Sequence, residues 1–195
     1  MLRGIHLLLT YMCNLECDHC FVYSGPKSKG TFTLDQIRKV LNEIIKISTI
    51  EWIYFEGGEP FLFYPLMLEG IKIARDMGFK IGVVTNAYFA TSEEDSELWL
   101  RPFYDLGILD LSISDDSFHY EDEKNSPAKC ALNIARRMKI PVGSICIEKP
   151  RVEEGIDKKQ EKGIPVIGGG AMFRGRATQK LIEGLPPVSY THLTL

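Results

Sequence analysis

Ile5-His6-Leu7-Leu8-Leu9-Thr10 runs almost directly into Cys13-Asn14-Leu15-Glu16-Cys17-Asp18-His19-Cys20. The apolar run reads as a buried strand. Three of the chain's five cysteines follow within a few residues of it. A strand ending in such a loop gathers three thiols at one end of a sheet. Three thiolates suit a soft metal or an iron–sulfur cluster. A [4Fe-4S] cluster held by three protein ligands keeps one iron open for a small molecule. The alternative is a zinc knuckle on Cys13, Cys17, Cys20 and His19. Structural zinc sites usually join two separated ligand pairs, and no second Cys/His pair lies at a convincing distance. Three unrelated thiols are the remaining reading.

The chain around this loop has 195 residues, 45% of them hydrophobic, enough for one core and one domain. Its net charge of −3 argues against a nucleic-acid surface. No apolar run approaches the roughly 18–20 residues of a membrane helix. No secretion signal is evident, and three clustered thiols leave one cysteine over, so disulfides are not expected. A reducing, cytoplasmic compartment follows.

Strands and helices alternate along the rest of the chain. Thr33-Leu34-Asp35-Gln36 is a capping box, opening a helix with Ile37, Val40, Leu41, Ile44 and Ile45 on one face. Trp52–Phe55 is a second strand, ending in Glu56-Gly57-Gly58-Glu59-Pro60. Pro65 starts the next helix and Gly78 follows its end. Phe79–Thr85 is a third strand, ending at Asn86. Ser92 caps a helix through about Asp105, kinked at Pro102 and ended by Gly107. Leu109–Ser114 is strand four. Ser126-Pro127 opens a fourth helix, Val142–Ile147 is strand five, Arg151–Gly163 a short solvated helix, and Ile164–Ile167 strand six. The alternation predicts a parallel sheet. Six β/α units fit a partial barrel with its site at the C-terminal strand ends, or a doubly wound open sheet.

The spacing CxxxCxxC after a first strand resembles the signature of the radical S-adenosylmethionine (SAM) superfamily. Gly57-Gly58-Glu59-Pro60 after strand two resembles that family's GGE motif. The flavour is closest to the group that matures quinone cofactors, sulfatases and peptides. The resemblance implies an open, parallel (β/α)6 partial TIM-like barrel. It implies a [4Fe-4S] cluster on Cys13, Cys17 and Cys20, with S-adenosyl-L-methionine chelating the open iron. Reductive cleavage of SAM would yield a 5′-deoxyadenosyl radical that takes a hydrogen from substrate. Gly57, Gly58 and Glu59 would hold the SAM amino group, and His19 would pack beside the adenine. Asn86 stands where relatives carry Thr-Asn-Gly, here with Ala87. Ser112, Ser114 and Asp115 fall where relatives carry Ser-x-Asp-Gly, and would reach ribose or methionine carboxylate. Reduced ferredoxin or flavodoxin is the implied electron donor, and a peptide or protein the implied substrate class, with no nucleic-acid or membrane partner.

Other motifs carry weaker expectations. Glu56 is expected to face solvent. Ser144, Cys146 and Glu148 share one face of strand five by alternation, either toward the lumen or with Cys146 packed as a small hydrophobe. His119 to Glu123 form a polar loop that is a substrate lid or a solvated run. Arg174 and Arg176 present guanidinium forks for a substrate carboxylate or lie on the surface. Residues 1–186 are read as the core domain. Pro187–Leu195 breaks the pattern and resembles translated adapter sequence, so the native sequence is expected to depart near Pro186, with the barrel incomplete after strand six.

Overall fold

A computed structural model of the protein describes residues 1–122, 124–153 and 166–185. Five strands, β1 (Gly4–Thr10), β2 (Trp52–Gly57), β3 (Lys80–Thr85), β4 (Asp110–Ser114) and β5 (Val142–Ile145), form one parallel sheet in the order β1-β2-β3-β4-β5. Between them lie α1 (Leu34–Ile44), α2 (Tyr64–Asp76), α3 (Glu93–Leu106) and α4 (Pro127–Arg137). Strand order equal to sequence order means that every crossover steps the same way. Right-handed crossovers that step one way put all their helices on one face. That separates the partial barrel from the doubly wound sheet, in which the order reverses.

Burial follows this one-sided cover. Leu7 and Leu9 of β1, Ile53 and Phe55 of β2, Ile81 and Val83 of β3, and Leu111 and Ile113 of β4 are buried. They pack on Ile37, Leu41, Met67, Ile71, Leu100, Phe103, Leu132 and Ile134 from the helices. Each such large side chain contributes about 1.5–3 kcal/mol by leaving water. Alternation sends His6, Tyr54, Glu56, Val84, Ser112 and Ser114 to the opposite, concave face. There His6 stacks on Tyr54, with ring centroids 4.7 Å apart, and its Nδ1 lies 2.9 Å from Glu56.

The helix boundaries follow the local chemistry. Thr33 and Gln36 close both halves of the capping box on α1. Ser92 accepts from the Asp95 amide to open α3, and Gly107 ends it in the left-handed conformation. Pro102 sits inside α3, which runs on through it as one element.

The C-terminal third departs from the sequence reading. Alternation predicts six parallel strands, and five pair in the described sheet. Arg151–Glu153 (β6) and Val166–Gly168 (β7) instead pair antiparallel as a separate ribbon, Arg151 opposite Gly168. The expected helix over Arg151–Gly163 therefore begins as a strand, and the rest of it lies outside the described residues. A short helix α5 (Ala177–Lys180) follows the ribbon. The expected foreign tail, Pro187–Leu195, lies outside the described residues.

Candidate active site

The C-terminal ends of the strands converge on one concave region. β1 and β2 carry a register shift between Leu8 and Thr10, where β1 gives way to the cysteine loop. The loop is stitched to the sheet by backbone bonds. Tyr11 N donates to Gly30 O at 2.9 Å and Cys13 N to Gly25 O at 3.1 Å. Gly58 N donates to Thr10 O at 2.6 Å, and Glu59 N to Met12 O at 2.8 Å. A Cβ at Gly58 would stand 2.1 Å from Met12 O, and one at Gly57 would stand 2.4 Å from Thr10 O. Only glycines let the turn after β2 lie against the backbone that delivers Cys13.

A cavity of about 280 Å³ opens here, lined by Cys13, Cys17 and Cys20, by Glu56, Gly57 and Gly58, and by the ends of β3 to β5. That volume is at the lower edge of the roughly 300–1,000 Å³ of small-molecule sites. The three thiols feel one another. Burial first, and then Glu59 and Cys20, push the Cys13 thiol up to about 11. Burial first, and then Cys13 and Cys20, push Cys17 up to about 12. Thiols gathered this way resist ionisation without a cation among them. A metal or cluster would supply the positive charge and bind the thiolate forms. Ser24 N donates to Cys20 Sγ at 3.3 Å and Leu15 N to Cys13 Sγ at 3.4 Å, contacts suited to an anionic sulfur. Among the described residues, His19 Nδ1 and Ser24 Oγ are buried polar atoms with no hydrogen-bond partner, positions that a bound group would satisfy. The residues present therefore fit a thiolate-held cluster with a small organic ligand.

The other residues singled out in the sequence separate into two sets. His19, Gly57, Gly58, Asn86 and Ser114 line the cavity with the cysteines. Asn86 Nδ2 donates to Asn14 Oδ1 at 2.9 Å and faces Cys13 Sγ at 3.7 Å. Tyr120 OH holds the Asn86 carbonyl at 2.7 Å. His19 packs against Phe118 and edge-on to His119, with centroids 4.7 and 5.0 Å away.

Glu59, Ser112 and Asp115 do not line the cavity. Glu59 is wholly buried, and its carboxylate accepts from Phe61 N at 3.0 Å, Thr85 Oγ1 at 2.8 Å and Asn86 N at 2.8 Å. Burial outweighs these donors and pushes its carboxyl up to about 7. It braces the end of β3 and so holds Asn86 against the cysteine loop. Ser112 lies one pleat below the cavity and donates to Asp110 at 3.2 Å. Asp115 leaves the concave face and pairs with Lys129 of α4. Alternation along β4 carries this aspartate to the helix side.

The next residue, Asp116, is buried beside the cavity-lining His119. It is 1% exposed. Its Oδ1 accepts from Phe118 N at 3.1 Å and lies 2.7 Å from His119 Nδ1, and its Oδ2 accepts from Ile147 N at 3.1 Å. Burial pushes this carboxyl up, but His119 and the Ile147 amide outweigh it and hold it below its ordinary value. His119 lines the cavity. His19, Asp116 and His119 offer ligand atoms within 4.8 Å of one another. Both carboxylate oxygens are already engaged, so the trio reads as a hydrogen-bonded brace rather than a second metal site. The signal available in the sequence is an aspartate followed two and three residues later by its amide and imidazole partners, an Asx-turn pattern.

Three weaker expectations are corrected. Glu56 lines the cavity and pairs with His6 instead of facing bulk solvent. On β5 and just after it, Ile145 and Ile147 line the cavity, whereas Ser144, Cys146 and Glu148 do not, and Cys146 is exposed rather than packed as a small hydrophobe. Arg174 is exposed, but Arg176 is 7% exposed and bonded to the cysteine loop, available neither to substrate nor to solvent.

Comparison with known proteins agrees with this geometry. A family profile described as the radical SAM superfamily matches residues 7–183. A putative peptide biosynthesis protein of Bacillus subtilis, YydG, is 30% identical over 135 residues, covering 69% of this chain and 42% of its own length. PqqA peptide cyclase of Bradyrhizobium diazoefficiens is 34% identical over 115 residues, covering 57% of this chain and 28% of its own. The chain spans less than half the length of these relatives. Among solved structures, BtrN in complex with AdoMet and 2-DOIA superposes with a TM-score of 0.54 at 17% identity, covering 75% of this chain and 57% of that one. Methylornithine synthase PylB gives a TM-score of 0.51 at 12% identity, covering 73% and 43%. Both share the fold.

Proposed function

Because the chain belongs to the radical SAM superfamily, we propose that it holds a [4Fe-4S] cluster on Cys13, Cys17 and Cys20 and cleaves SAM to modify a peptide or protein. The observation that carries this reading is the convergence of the three thiols with Gly57 and Gly58 on one cavity at the strand ends. When bound, the cluster and SAM supply an electron and a carbon radical that abstracts hydrogen. The chain's own residues bind and orient. Gly57 and Gly58 keep backbone open to the cavity, with the Glu56 carboxylate beside them, where an ammonium group needs acceptors. This replaces the expected direct role of Glu59, which acts through Asn86. His19, Ser114, Ile145 and Ile147 offer a half-apolar wall suited to a nucleoside. His119, held by Asp116, turns an imidazole edge to the same space.

The peptide class is supported by the two relatives whose names refer to peptides. Reduced ferredoxin or flavodoxin is the fitting donor, and a cytoplasmic setting fits both the donor and the thiols. Among the described residues, no helix is long and apolar enough to cross a membrane. Substrate class is tested by anaerobic incubation with SAM, dithionite and size-fractionated extract of the source cells. A rise in 5′-deoxyadenosine with the peptide fraction supports the proposal. A rise with the small-metabolite fraction alone contradicts it.

A further inference from the structure

The cysteine loop is irregular between β1 and α1, with few internal ties, among them the Met12–Gly25 bridge and a turn in which Cys20 N donates to Cys17 O at 3.1 Å. A loop with so few internal bonds draws further donors from elsewhere. Three of its carbonyls find one residue far along the chain. Arg176 Nη1 donates to Cys17 O at 2.6 Å and Nη2 to Ser24 O at 2.6 Å. The backbone N–H of Arg176 donates to Cys20 O at 2.8 Å. Two of the three carbonyls belong to thiol-bearing residues. The preceding Gly175 sits in the left-handed region at φ +62, and a Cβ there would stand 2.4 Å from Phe21 O and 2.7 Å from Cys20 O. The strap that carries Arg176 therefore lies backbone-to-backbone on the loop.

The charge is as telling as the bonds. Arg176 is 7% exposed. Among the described residues, the carboxylate within 4 Å of it is that of Glu16, at 3.6 Å, and the Glu16 side chain is 70% exposed. The Tyr23 ring lies 5.9 Å from the guanidinium carbon. A buried cation with so weak a counter-ion needs an anion nearby, and the side chain bonds the carbonyl of Cys17 itself. A thiolate-held cluster is anionic and gains one further negative charge on reduction.

We propose that Arg176 is a positioning residue for the cluster: its guanidinium and amide pin the loop carbonyls of Cys17, Cys20 and Ser24, and its buried charge favours the reduced cluster. This rests on the cluster reading above, but half of it can be tested without iron. In the cluster-free protein, Arg176→Met should speed amide exchange in the peptide spanning residues 12–25 by about tenfold or more, since two charge-assisted bonds are lost. Peptides from α1 and α2 should exchange as in the wild type, and so should the loop in Arg174→Met. After anaerobic reconstitution, Arg176→Met should retain less iron than wild type, and the iron it holds should titrate at a lower potential. Arg176→Lys should recover the potential but not the exchange protection, because an ammonium keeps the charge and loses the fork. Loop exchange unchanged in Arg176→Met overturns the pinning role. A potential unchanged in Arg176→Met, or one that Arg176→Lys does not restore, overturns the electrostatic role. Wild-type protein that takes up no iron would remove the cluster reading, while the exchange result still decides the clamp.

Discussion

Glu59→Gln separates two forces that oppose each other at one buried group. The carboxylate has three internal donors, which favour its charged form, and no exposure, which favours its neutral form. Burial wins, raising the carboxyl from its ordinary 4.5 to about 7. A group whose folded value lies above its unfolded value contributes stability that is complete below the unfolded value. That stability is lost as pH rises through the folded one. The cluster-free protein should therefore lose stability between about pH 4.5 and pH 7. The loss should reach about 3 kcal/mol, since each tenfold change in proton affinity is worth about 1.4 kcal/mol. Glutamine resembles the protonated carboxyl, since each sets a donor toward the Asn86 amide or its neighbours. The variant should match wild type within about 1 kcal/mol near pH 5 and exceed it by up to about 3 kcal/mol at pH 8. Urea unfolding at a series of pH values, under reductant and without iron, reads both. If wild-type stability instead rose from about pH 4.5 to 7 relative to the variant, the three donors would outweigh burial. Glu59 would then be a willing anion and not a reluctantly charged brace.

Gly58→Ala forces a Cβ to 2.1 Å from Met12 O. It should cost about 2–4 kcal/mol in urea unfolding and strongly reduce iron uptake, because the Gly58 and Glu59 amides release the segment before Cys13. Wild-type iron content in that variant would refute the role of the close approach. Asp116→Asn turns one acceptor into a donor facing the Ile147 or Phe118 amide. It should destabilise the fold by about 1–3 kcal/mol and weaken SAM binding by the reconstituted protein while leaving its iron content near wild type. Loss of all iron in Asp116→Asn would instead make this residue part of the cluster site.

What could be read in the sequence was whatever depends on near neighbours. The strand before Cys13, the Thr33–Gln36 capping box, the Ser92 cap and the Gly107 stop are local patterns, and the structure keeps them. The thiol spacing marks the site because three ligands in one loop need no distant partner. The remainder depends on partners supplied from elsewhere. Asp115 pairs with Lys129 on α4 rather than lining the cavity. Glu59 lies in a motif that suggests ligand contact, yet Thr85 and Asn86 from the end of β3 enclose it. Arg176 meets Cys17 across 159 positions of sequence, a separation at which residue type alone gives no sign of contact. The segment from Arg151 reads as a helix for its charges. Its first residues pair across an antiparallel ribbon that no local periodicity announces.

Anaerobic reconstitution with iron and sulfide, followed by SAM and dithionite, tests the cluster and its chemistry most directly, with wild type beside Cys17→Ala. About four irons and four sulfides per wild-type chain are expected, with 5′-deoxyadenosine that depends on reductant, and neither in Cys17→Ala. Stoichiometric zinc with no sulfide and no SAM cleavage in the wild type would contradict it.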